Sequence, residues 1–442
     1  MKIENLRIEN FRHFESLEID FHPELTVIIA QNGQGKSSIL DAAASLLSVY
    51  TRPFEYGKTL DIAPKNARFV VSSETGAISQ QFPIRVSADI KASHHGLSVL
   101  NPDVTRERNS PKGTATIKDA SYLSMLGELY RDRIQADQGA RLPIVSYYST
   151  SRRWASLSGQ SPKNIISTGR DAGYEDCFVE NSGFKQVQRW LPSATLANLQ
   201  KQQMPDTYKE LNIDQQIQGI TNAVHTALKD HNWKNFHYSL TLEELAVTNE
   251  DNISLPVSLL SDGVQAIVSI VSDLAWRCVK LNPHLGKEAP LQTEGIVMID
   301  EVDMHLHPEW QQTIIQSLRS AFPKVQFIVT THSPQVLSTV PRECIRTIGL
   351  NTLGAAICAE PLAPSYGEPS GDILQSIMNV DPQPPVPEKR LLEELTSLVD
   401  QGEYKSSRAQ ELLEQLSTSL NKHHPQLEKI QRSIRRQEVL NG

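Results

Sequence analysis

The chain has 442 residues, with 43 lysines and arginines, 51 aspartates and glutamates and a formal net charge of −8. That length allows two or more domains, and the negative balance excludes a global basic field, so any nucleic-acid contact has to be local or made by a partner. The four cysteines show no pairing or metal spacing, the charged N-terminus does not resemble a signal peptide, and no apolar run nears the roughly 18 residues of a membrane span. We therefore expect a reduced, cytoplasmic protein without a membrane segment.

The first predicted element is a strand that runs from Ile3 towards Phe14. This segment resembles the opening strand of SMC-type and RecF-type ATPase heads. By that resemblance Arg12 lies near a bound nucleotide. An arginine kept on an edge strand for solubility is the other interpretation of the same residue.

A phosphate-binding loop is predicted at residues 30–37. A short apolar strand leads into this glycine-containing turn, and a helical run follows it. In such a setting the N–H groups of the turn and the helix N-terminus bind phosphate, Lys36 reaches the β- and γ-phosphates, and the Ser37 hydroxyl ligates Mg²⁺. We therefore predict ATP and Mg²⁺ as cofactors. The residues predicted to surround the nucleotide here are Gln31, Asn32, Gly33, Gln34, Gly35, Lys36, Ser37 and Ser38.

The middle of the chain is predicted to add strands and a helical insertion. Alternating runs at residues 60–95 indicate antiparallel strands, whereas the polar residues 96–116 are predicted to form a mobile loop. A later strand stops at Arg152 and Arg153, for which phosphate contact and simple exposure are both open. Residues 154–235 indicate a compact helical insertion, because no amphipathic segment is long enough for heptad arms.

Residues 260–265 lie directly before a predicted helix over 266–280. Their sequence, Leu-Ser-Asp-Gly-Val-Gln, resembles the Leu-Ser-Gly-Gly-Gln signature of ABC-type ATPases, with Asp262 at the place of the first glycine. In that family the serine and the helix N-terminus face a γ-phosphate bound to another subunit. By this resemblance Ser261, Asp262 and Gly263 contact the nucleotide of a second copy.

A buried strand that ends in two carboxylates is predicted at residues 295–301. Ligands bind at the carboxyl ends of strands in an open α/β sheet, so Asp300 and Glu301 are candidate site residues. Asp300 suits a direct or indirect hold on Mg²⁺. Glu301 suits a base that orients or polarises the attacking water.

A β-rich run from Val325 ends at His332. The ABC-type family has a switch histidine at this point that contacts the γ-phosphate, so the order of the motifs predicts the same role for His332. The nearby His305 and His307 have metal-like spacing, but nothing beside them supplies a clear third ligand, and we do not predict a metal there. Their segment resembles the loop that crosses the dimer interface in ABC-type heads.

The C-terminal part differs in character from residues 1–360, which are predicted to form the ATPase head. Residues 361–387 contain seven prolines and are predicted to be a linker. Residues 388–442 indicate two or three amphipathic helices. Their apolar stripes have to be buried by the body, another copy or a partner, so we predict an interaction region.

Taken together, these motifs resemble the RecF-like, AAA-type ATPases of bacterial defence systems, and among them the PtuA-like ATPases of Septu and retron systems. The resemblance covers residues 11–340, residues 367–380 and the helical tail. It implies an α/β fold, namely an ABC-type, RecF/SMC-like phosphate-loop head with an antiparallel β subdomain, a short helical insertion and a helical tail. It further implies a homo-oligomer, an HNH-nuclease partner, an antiphage role and, in a retron setting, a reverse transcriptase with its DNA.

Two other functions remain open from the sequence. One is a stand-alone DNA-repair or recombination ATPase head that binds DNA, which a basic groove and DNA-stimulated ATP hydrolysis would favour. The other is an ATPase–nuclease of the overcoming-lysogenisation type. That function needs a carboxylate-rich α/β segment after His332, where the chain is short and largely proline-rich or helical.

Overall fold

The described part of the chain falls into two units. A computed structural model describes residues 1–31, 33–72, 74–94, 97–150, 169–179, 184–207, 212–352, 354–421 and 424–441. The chain forms two compact units, Met1–Met378 and Asn379–Gly442. Asn32, predicted to surround the nucleotide, and Arg152 and Arg153, for which phosphate contact and simple exposure were both open, lie outside the described residues. Every helix within the described residues is too short or too polar to cross a bilayer.

The first unit contains four sheets in its described residues. Its strands are β1 Lys2–Phe11, β2 Phe14–Asp20, β3 Leu25–Ile29, β4 Phe69–Val71, β5 Ile78–Gln80, β6 Ile84–His94, β7 Leu97–Arg108, β8 Ile144–Tyr148, β9 Lys234–Ser239, β10 Glu244–Thr248, β11 Ser254–Pro256, β12 Gly295–Ile299, β13 Val325–Thr330, β14 Ile345–Leu350 and β15 Ala356–Ala359. Its helices are α1 Lys36–Thr51, α2 Ser121–Ala136, α3 Lys185–Gln203, α4 Ile213–Leu228, α5 Asp262–Leu281, α6 Ala289–Gln292, α7 Pro308–Ala321, α8 Pro334–Leu337 and α9 Ser370–Ser376.

The largest sheet has the strand order β15-β14-β3-β13-β12-β8. Its strands run parallel except that β15 pairs antiparallel at one edge. β3, β8, β12 and β13 are buried at every position, which is typical of parallel strands covered on both faces. The loops that follow β3, β12 and β13 therefore leave the same edge of the sheet, and this edge carries the candidate site.

Helix α1 lies between two sheets. It packs against β8 and β13 of the parallel sheet and against β1 and β6 of an antiparallel sheet with the order β2-β1-β6-β7. Fourteen of its 16 residues are buried. The hydroxyls of its buried Ser45 and Ser48 donate to the carbonyls of Ala42 and Ser45, so its polar side chains are satisfied in this interior position. The antiparallel strands expected at residues 60–95 are confirmed by the pairings of β4 with β5 and of β6 with β7.

Residues 97–108 of the polar segment predicted as a loop at residues 96–116 form strand β7 instead, whereas residues 109–116 contain neither helix nor strand. β7 pairs antiparallel with β6 along most of its length. Its buried arginines find partners inside the fold: Arg106 donates to the carbonyls of Ser45 and Leu60, and Arg108 donates to Ile62. The prediction was wrong because polarity was taken as a sign of exposure. Buried guanidinium groups are accommodated when backbone carbonyls accept their hydrogen bonds.

Helices from the predicted insertion pack on α5. α4 places its buried side chains on one face, against α5, and α3 packs on both helices. Deep inside α5, Asp273 and Arg277 form a fully buried ion pair at 2.8 Å. The Tyr148 hydroxyl donates to Asp273 at 2.6 Å, and Arg277 donates to the carbonyl of Gly173 at 2.9 Å. This network attaches α5 to the end of β8.

Breaking this buried network should destabilise the first unit. We expect Asp273→Ala to lower its free energy of unfolding by about 3–5 kcal/mol, because the Arg277 charge is left buried without its partner. The exposed ion pair of Glu24 with Arg319 is the control, and Glu24→Ala should cost about 0–1 kcal/mol. Urea unfolding followed by tryptophan fluorescence measures both, since all five tryptophans lie before Met378. Equal shifts in the two variants would contradict the argument.

The proline-rich segment predicted as a linker at residues 361–387 is partly folded onto the first unit. Helix α9 lies within it, and Ile373 and Ile377 are buried in the main core. The Ser365 hydroxyl donates to the Val340 carbonyl at 2.5 Å. The first unit therefore extends to Met378 rather than to residue 360. Proline content indicated an extended chain but not that apolar residues between the prolines anchor it.

In its described residues the second unit contains three helices: α10 Glu388–Asp400, α11 Ser407–Ser419 and α12 Pro425–Asn441. Their apolar residues form a separate cluster that includes Leu395, Leu412 and Leu427. The apolar stripes of the three helices, for which the sequence indicated no burial site, therefore bury one another. That this unit mediates an interaction stays a prediction, but it can no longer be argued from an apolar stripe left exposed.

Candidate nucleotide-binding site

The loop after β3 leads directly into α1, which begins at Lys36. Gly33 and Gly35 have φ angles of +79° and +92°, in the left-handed region that favours glycine. A Cβ on Gly35 would lie 2.1 Å from Cε1 of His13 and 2.6 Å from Cζ of Phe14. Glycine therefore lets the chain pass beneath these rings and turn into the helix. The first N–H groups of α1 have no partner within the helix and suit a phosphate.

Lys36 is almost completely buried, and its ammonium group donates to the Ala30 carbonyl at 3.2 Å. Burial lowers the pKa of Lys36, while the nearby carboxylates of Asp300, Glu301 and Asp303 act in the opposite direction. The lysine of the phosphate loop and the acidic residues after β12 thus lie close enough to feel each other's charge. The parallel sheet brings them together although more than 260 residues separate them in sequence.

The two predicted carboxylates follow β12 directly. Asp300 is 1% exposed, and its N–H donates to the Tyr148 carbonyl at 2.8 Å. The Thr330 hydroxyl, at the end of the neighbouring strand, donates to Asp300 Oδ1 at 2.5 Å and accepts from the Glu301 N–H at 2.7 Å. Glu301 is half-buried and has a φ of +47°. The backbone therefore turns sharply between the two acidic residues.

His332 follows β13 at the same edge of the sheet. Burial and the Lys36 charge lower its pKa, and the carboxylates of Glu301, Asp303 and Asp300 oppose this shift. The lowered pKa favours the neutral imidazole, in which one nitrogen can donate a hydrogen bond and the other can accept one. The preceding Thr331 donates to Asp303 at 2.6 Å, which fixes the loop after β12 against the histidine.

Arg12 lies over the first turns of α1. Its guanidinium contacts Asp41 Oδ2 at 2.6 Å and donates to the Ser38 hydroxyl at 3.3 Å. The Tyr147 hydroxyl donates to the other oxygen of Asp41 at 2.9 Å. Burial raises the pKa of Asp41, whereas Arg12 and Tyr147 lower it. These contacts place Arg12 beside the phosphate loop.

The signature-like segment forms the start of α5. Ser261 is its N-cap residue, Ser261 and Asp262 are exposed, and Gln265 donates to the Leu260 carbonyl at 2.7 Å. A Cβ on Gly263 would lie 3.0 Å from the His305 carbonyl. Within the described part of the chain, no hydrogen bond or ion pair joins these residues to the phosphate loop. The other described candidates thus lie together at one edge of the sheet, whereas the signature packs on the loop that follows Glu301.

The donor set fits Mg²⁺ held together with phosphates. Among the described residues no group of three or more His, Cys, Asp or Glu side chains is arranged to hold a metal ion. Magnesium usually takes one or two carboxylates, waters and phosphate oxygens rather than an all-protein cage. The buried Asp300 could supply such a carboxylate, and the half-buried Ser37 a hydroxyl.

Four further residues take part in the site without having been predicted. They are His13, Asp41, Asp303 and Thr330. Asp41 follows Ser37 by four residues, so helical spacing could have placed it on the same face. Asp303 and Thr330 were within quoted motifs, but their roles depend on contacts between separate strands.

The site defines a class of protein. A phosphate loop, an acidic strand end and a histidine at the end of the strand between them share one edge of a parallel sheet. An antiparallel sheet covers α1, and a helical segment precedes the signature helix. This is the layout of an ABC-type, RecF/SMC-like ATPase head, as the sequence predicted.

The chain belongs to the AAA domain family. The model of this family matches residues 5–232, which are more than half of the chain. A second description, "AAA domain, putative AbiEii toxin, Type IV TA system", matches residues 186–338. These matches, the ATPase relatives and the site together identify the protein as a nucleotide-binding ATPase.

Relatives extend over most of the chain. It is 25% identical to the retron Vc95 probable ATPase of Vibrio cholerae serotype O1 biovar El Tor, over 93% of this chain and 86% of that relative. It is 24% identical to the retron Ec83 probable ATPase of Escherichia coli, over 93% of this chain and 82% of the relative. The Septu protein PtuA of Bacillus mycoides (strain KBAB4) is 48% identical over 17% of this chain and 10% of its own length. The resemblance to PtuA-like and retron ATPases is confirmed.

Among solved structures, the SmcHead bound to the C-winged helix domain of ScpA is similar, with a TM-score of 0.46 and 15% identity, over 81% of this chain and 97% of that chain.

Proposed function

We propose that the protein is the ATP-hydrolysing regulatory subunit of a bacterial antiphage defence complex and that it controls an associated HNH nuclease. The observation that supports the ATPase part most directly is Lys36, buried beside Asp300 and Glu301 at one edge of the sheet. The similarity to retron and Septu ATPases supports the defence role.

In the proposed site the side chains have separate tasks. Lys36 binds the β- and γ-phosphates, and Ser37 and Asp300 hold Mg²⁺, which when bound neutralises phosphate charge. Glu301 orients the attacking water and accepts its proton. His332 contacts the γ-phosphate, and the neutral imidazole can donate one hydrogen bond to it. Arg12 adds a positive charge beside the phosphate loop.

In this proposal the loop and the first turn of α1 supply the remaining contacts to the phosphates. Gln31 and Gly33 are exposed, Gln34 and Gly35 are half-buried, and Ser38 is buried beneath Arg12. The loop thus presents its outer surface to an incoming nucleotide.

We further propose that two copies pair head to head. Within the described residues Ser261, Asp262 and Gly263 make no hydrogen bond or ion pair with their own phosphate loop, and Ser261 and Asp262 are exposed at the N-terminus of α5. Such a terminus attracts a phosphate. Ser261 and Gly263 of one copy would close on the ATP held by the other, so that ATP binding and assembly are coupled.

Co-purification with the neighbouring nuclease tests the function. The tagged chain, expressed with an adjacent HNH reading frame, should retain that nuclease, and its DNA-cleavage rate should differ between the wild type and Lys36→Ala. A nuclease that cleaves equally with and without the chain would contradict the regulatory role. Absence of such a reading frame, together with DNA-stimulated ATP hydrolysis, would favour the repair-type head.

A further inference from the structure

Thr330 occupies a special position between the two halves of the candidate site. It is the last residue of β13, the strand between β3, which leads to the phosphate loop, and β12, which leads to the acidic residues. Its side chain is fully buried. Its hydroxyl donates to Asp300 Oδ1 at 2.5 Å and accepts from the Glu301 N–H at 2.7 Å. One oxygen atom thus contacts the carboxylate of the first acidic residue and the peptide group of the second.

The peptide that Thr330 holds is in an unfavourable conformation. Glu301 has a φ of +47°, a region that residues with a Cβ occupy only at a cost. The Val302 N–H donates to the Thr330 carbonyl at 2.9 Å, so the same threonine fastens the chain on both sides of Glu301. Such a turn persists because surrounding contacts determine it, and here Thr330 provides two of them.

We propose that Thr330 is a positioning residue for ATP hydrolysis, whose hydroxyl fixes the spacing between the metal-holding carboxylate and the water-orienting carboxylate. The inference rests on the roles proposed above for Asp300 and Glu301. Thr330 need not touch nucleotide. It acts by holding Asp300 Oδ1 in one direction, so that the other oxygen is directed to the metal, and by holding the backbone from which Glu301 projects.

The test must show whether the Thr330 hydroxyl positions the carboxylates or only stabilises the fold. Thr26 provides the matched control for a loss of stability. It is also a fully buried threonine, on β3 next to β13. Its hydroxyl accepts from the His22 N–H at 2.9 Å, away from the acidic residues. Thr26→Val and Thr330→Val therefore remove the same group from neighbouring strands, and only the second change affects the carboxylates.

The test compares Thr330→Val with Thr330→Ser and Thr26→Val. We expect Thr330→Val to lower kcat about 10–100-fold, as loss of a group that orients metal ligands does. Affinity for a fluorescent ATP analogue without Mg²⁺ should be unchanged, and the Mg²⁺ concentration that half-maximally strengthens its binding should rise about tenfold. Thr330→Ser, which keeps the hydroxyl, should restore both values to within about threefold of the wild type, and Thr26→Val should leave both unchanged.

Thr330→Ala is measured beside the valine variant, so that a folding defect of one does not remove the test. Unchanged kcat and Mg²⁺ dependence in a folded Val or Ala variant would overturn the inference, as would equal losses in Thr26→Val or no rescue by serine. If the wild type hydrolyses ATP and Lys36→Ala does not bind it, such a result removes only the role of Thr330. A wild type that does not hydrolyse ATP would instead remove the proposed function.

Discussion

In the Lys36→Ala variant we expect ATP affinity to fall about a hundredfold or more, equivalent to about 3 kcal/mol. The ammonium group lies buried near three carboxylates, those of Asp300, Glu301 and Asp303. Without it, phosphates would enter a site whose nearest charges on this side are negative. The loss therefore combines a missing phosphate contact with uncompensated repulsion, which explains why the effect should exceed that of a surface lysine.

Isothermal titration with ATP and Mg²⁺ measures this effect. Lys112 is exposed, and Lys112→Ala is the matched control, which should bind like the wild type. Tryptophan fluorescence in urea shows whether the first unit remains folded in both variants. Affinity in Lys36→Ala close to that of the wild type would show that the phosphate loop is not the nucleotide site.

The sequence predicted the parts of the site that depend on local pattern. A strand, a glycine turn and a helix stand next to one another around Lys36, and Asp300 and Glu301 follow a continuous apolar run. Each of these patterns implies its own geometry, because the backbone elements involved are adjacent in the chain. The parallel sheet then fixes which strand ends meet.

Local sequence patterns did not predict the contacts between segments that are distant in the chain. Arg106 of β7 is accommodated in the interior because it donates to the carbonyl of Ser45, which lies 61 residues earlier, and no local pattern indicates that acceptor. Thr330 likewise gains its role from Asp300, 30 residues away. The apolar stripe around Leu427 predicted burial by the body, another copy or a partner, whereas the neighbouring helices of the same unit bury it. Polarity and periodicity show that a side chain needs partners, but not where those partners are.

Four buried or half-buried thiols carry no sign of site chemistry. All four cysteines are free, and burial raises the pKa of Cys177 and Cys278 to about 12. Thiols of that kind are poor nucleophiles at neutral pH. The charged groups around Lys36 therefore remain the place where nucleotide chemistry is expected.

The Glu301→Gln variant should bind ATP like the wild type but hydrolyse it about 10²–10⁴-fold more slowly, the range that a lost general base produces. Glutamine has nearly the same shape and leaves the Glu301 N–H bond to Thr330 in place. Binding therefore persists while the proton acceptor is gone. ATP that is bound but not hydrolysed should keep two copies closed around it, so this variant should shift to a larger mass in the presence of ATP and Mg²⁺.

The closed pair is tested by a second substitution in the same chain. Ser261 is exposed at the start of α5 and makes no hydrogen bond or ion pair with the phosphate loop in the described residues. Adding Ser261→Arg to Glu301→Gln should therefore keep ATP binding to the single copy but abolish the ATP-dependent mass increase, because the arginine side chain blocks the surface that faces the partner's nucleotide. Light scattering during size-exclusion chromatography measures the mass, and Ser258→Arg, three residues earlier, is the control for added charge and bulk. An ATP-dependent pair that survives Ser261→Arg would show that the signature segment is not at the interface, while rapid hydrolysis in Glu301→Gln would show that another group accepts the proton.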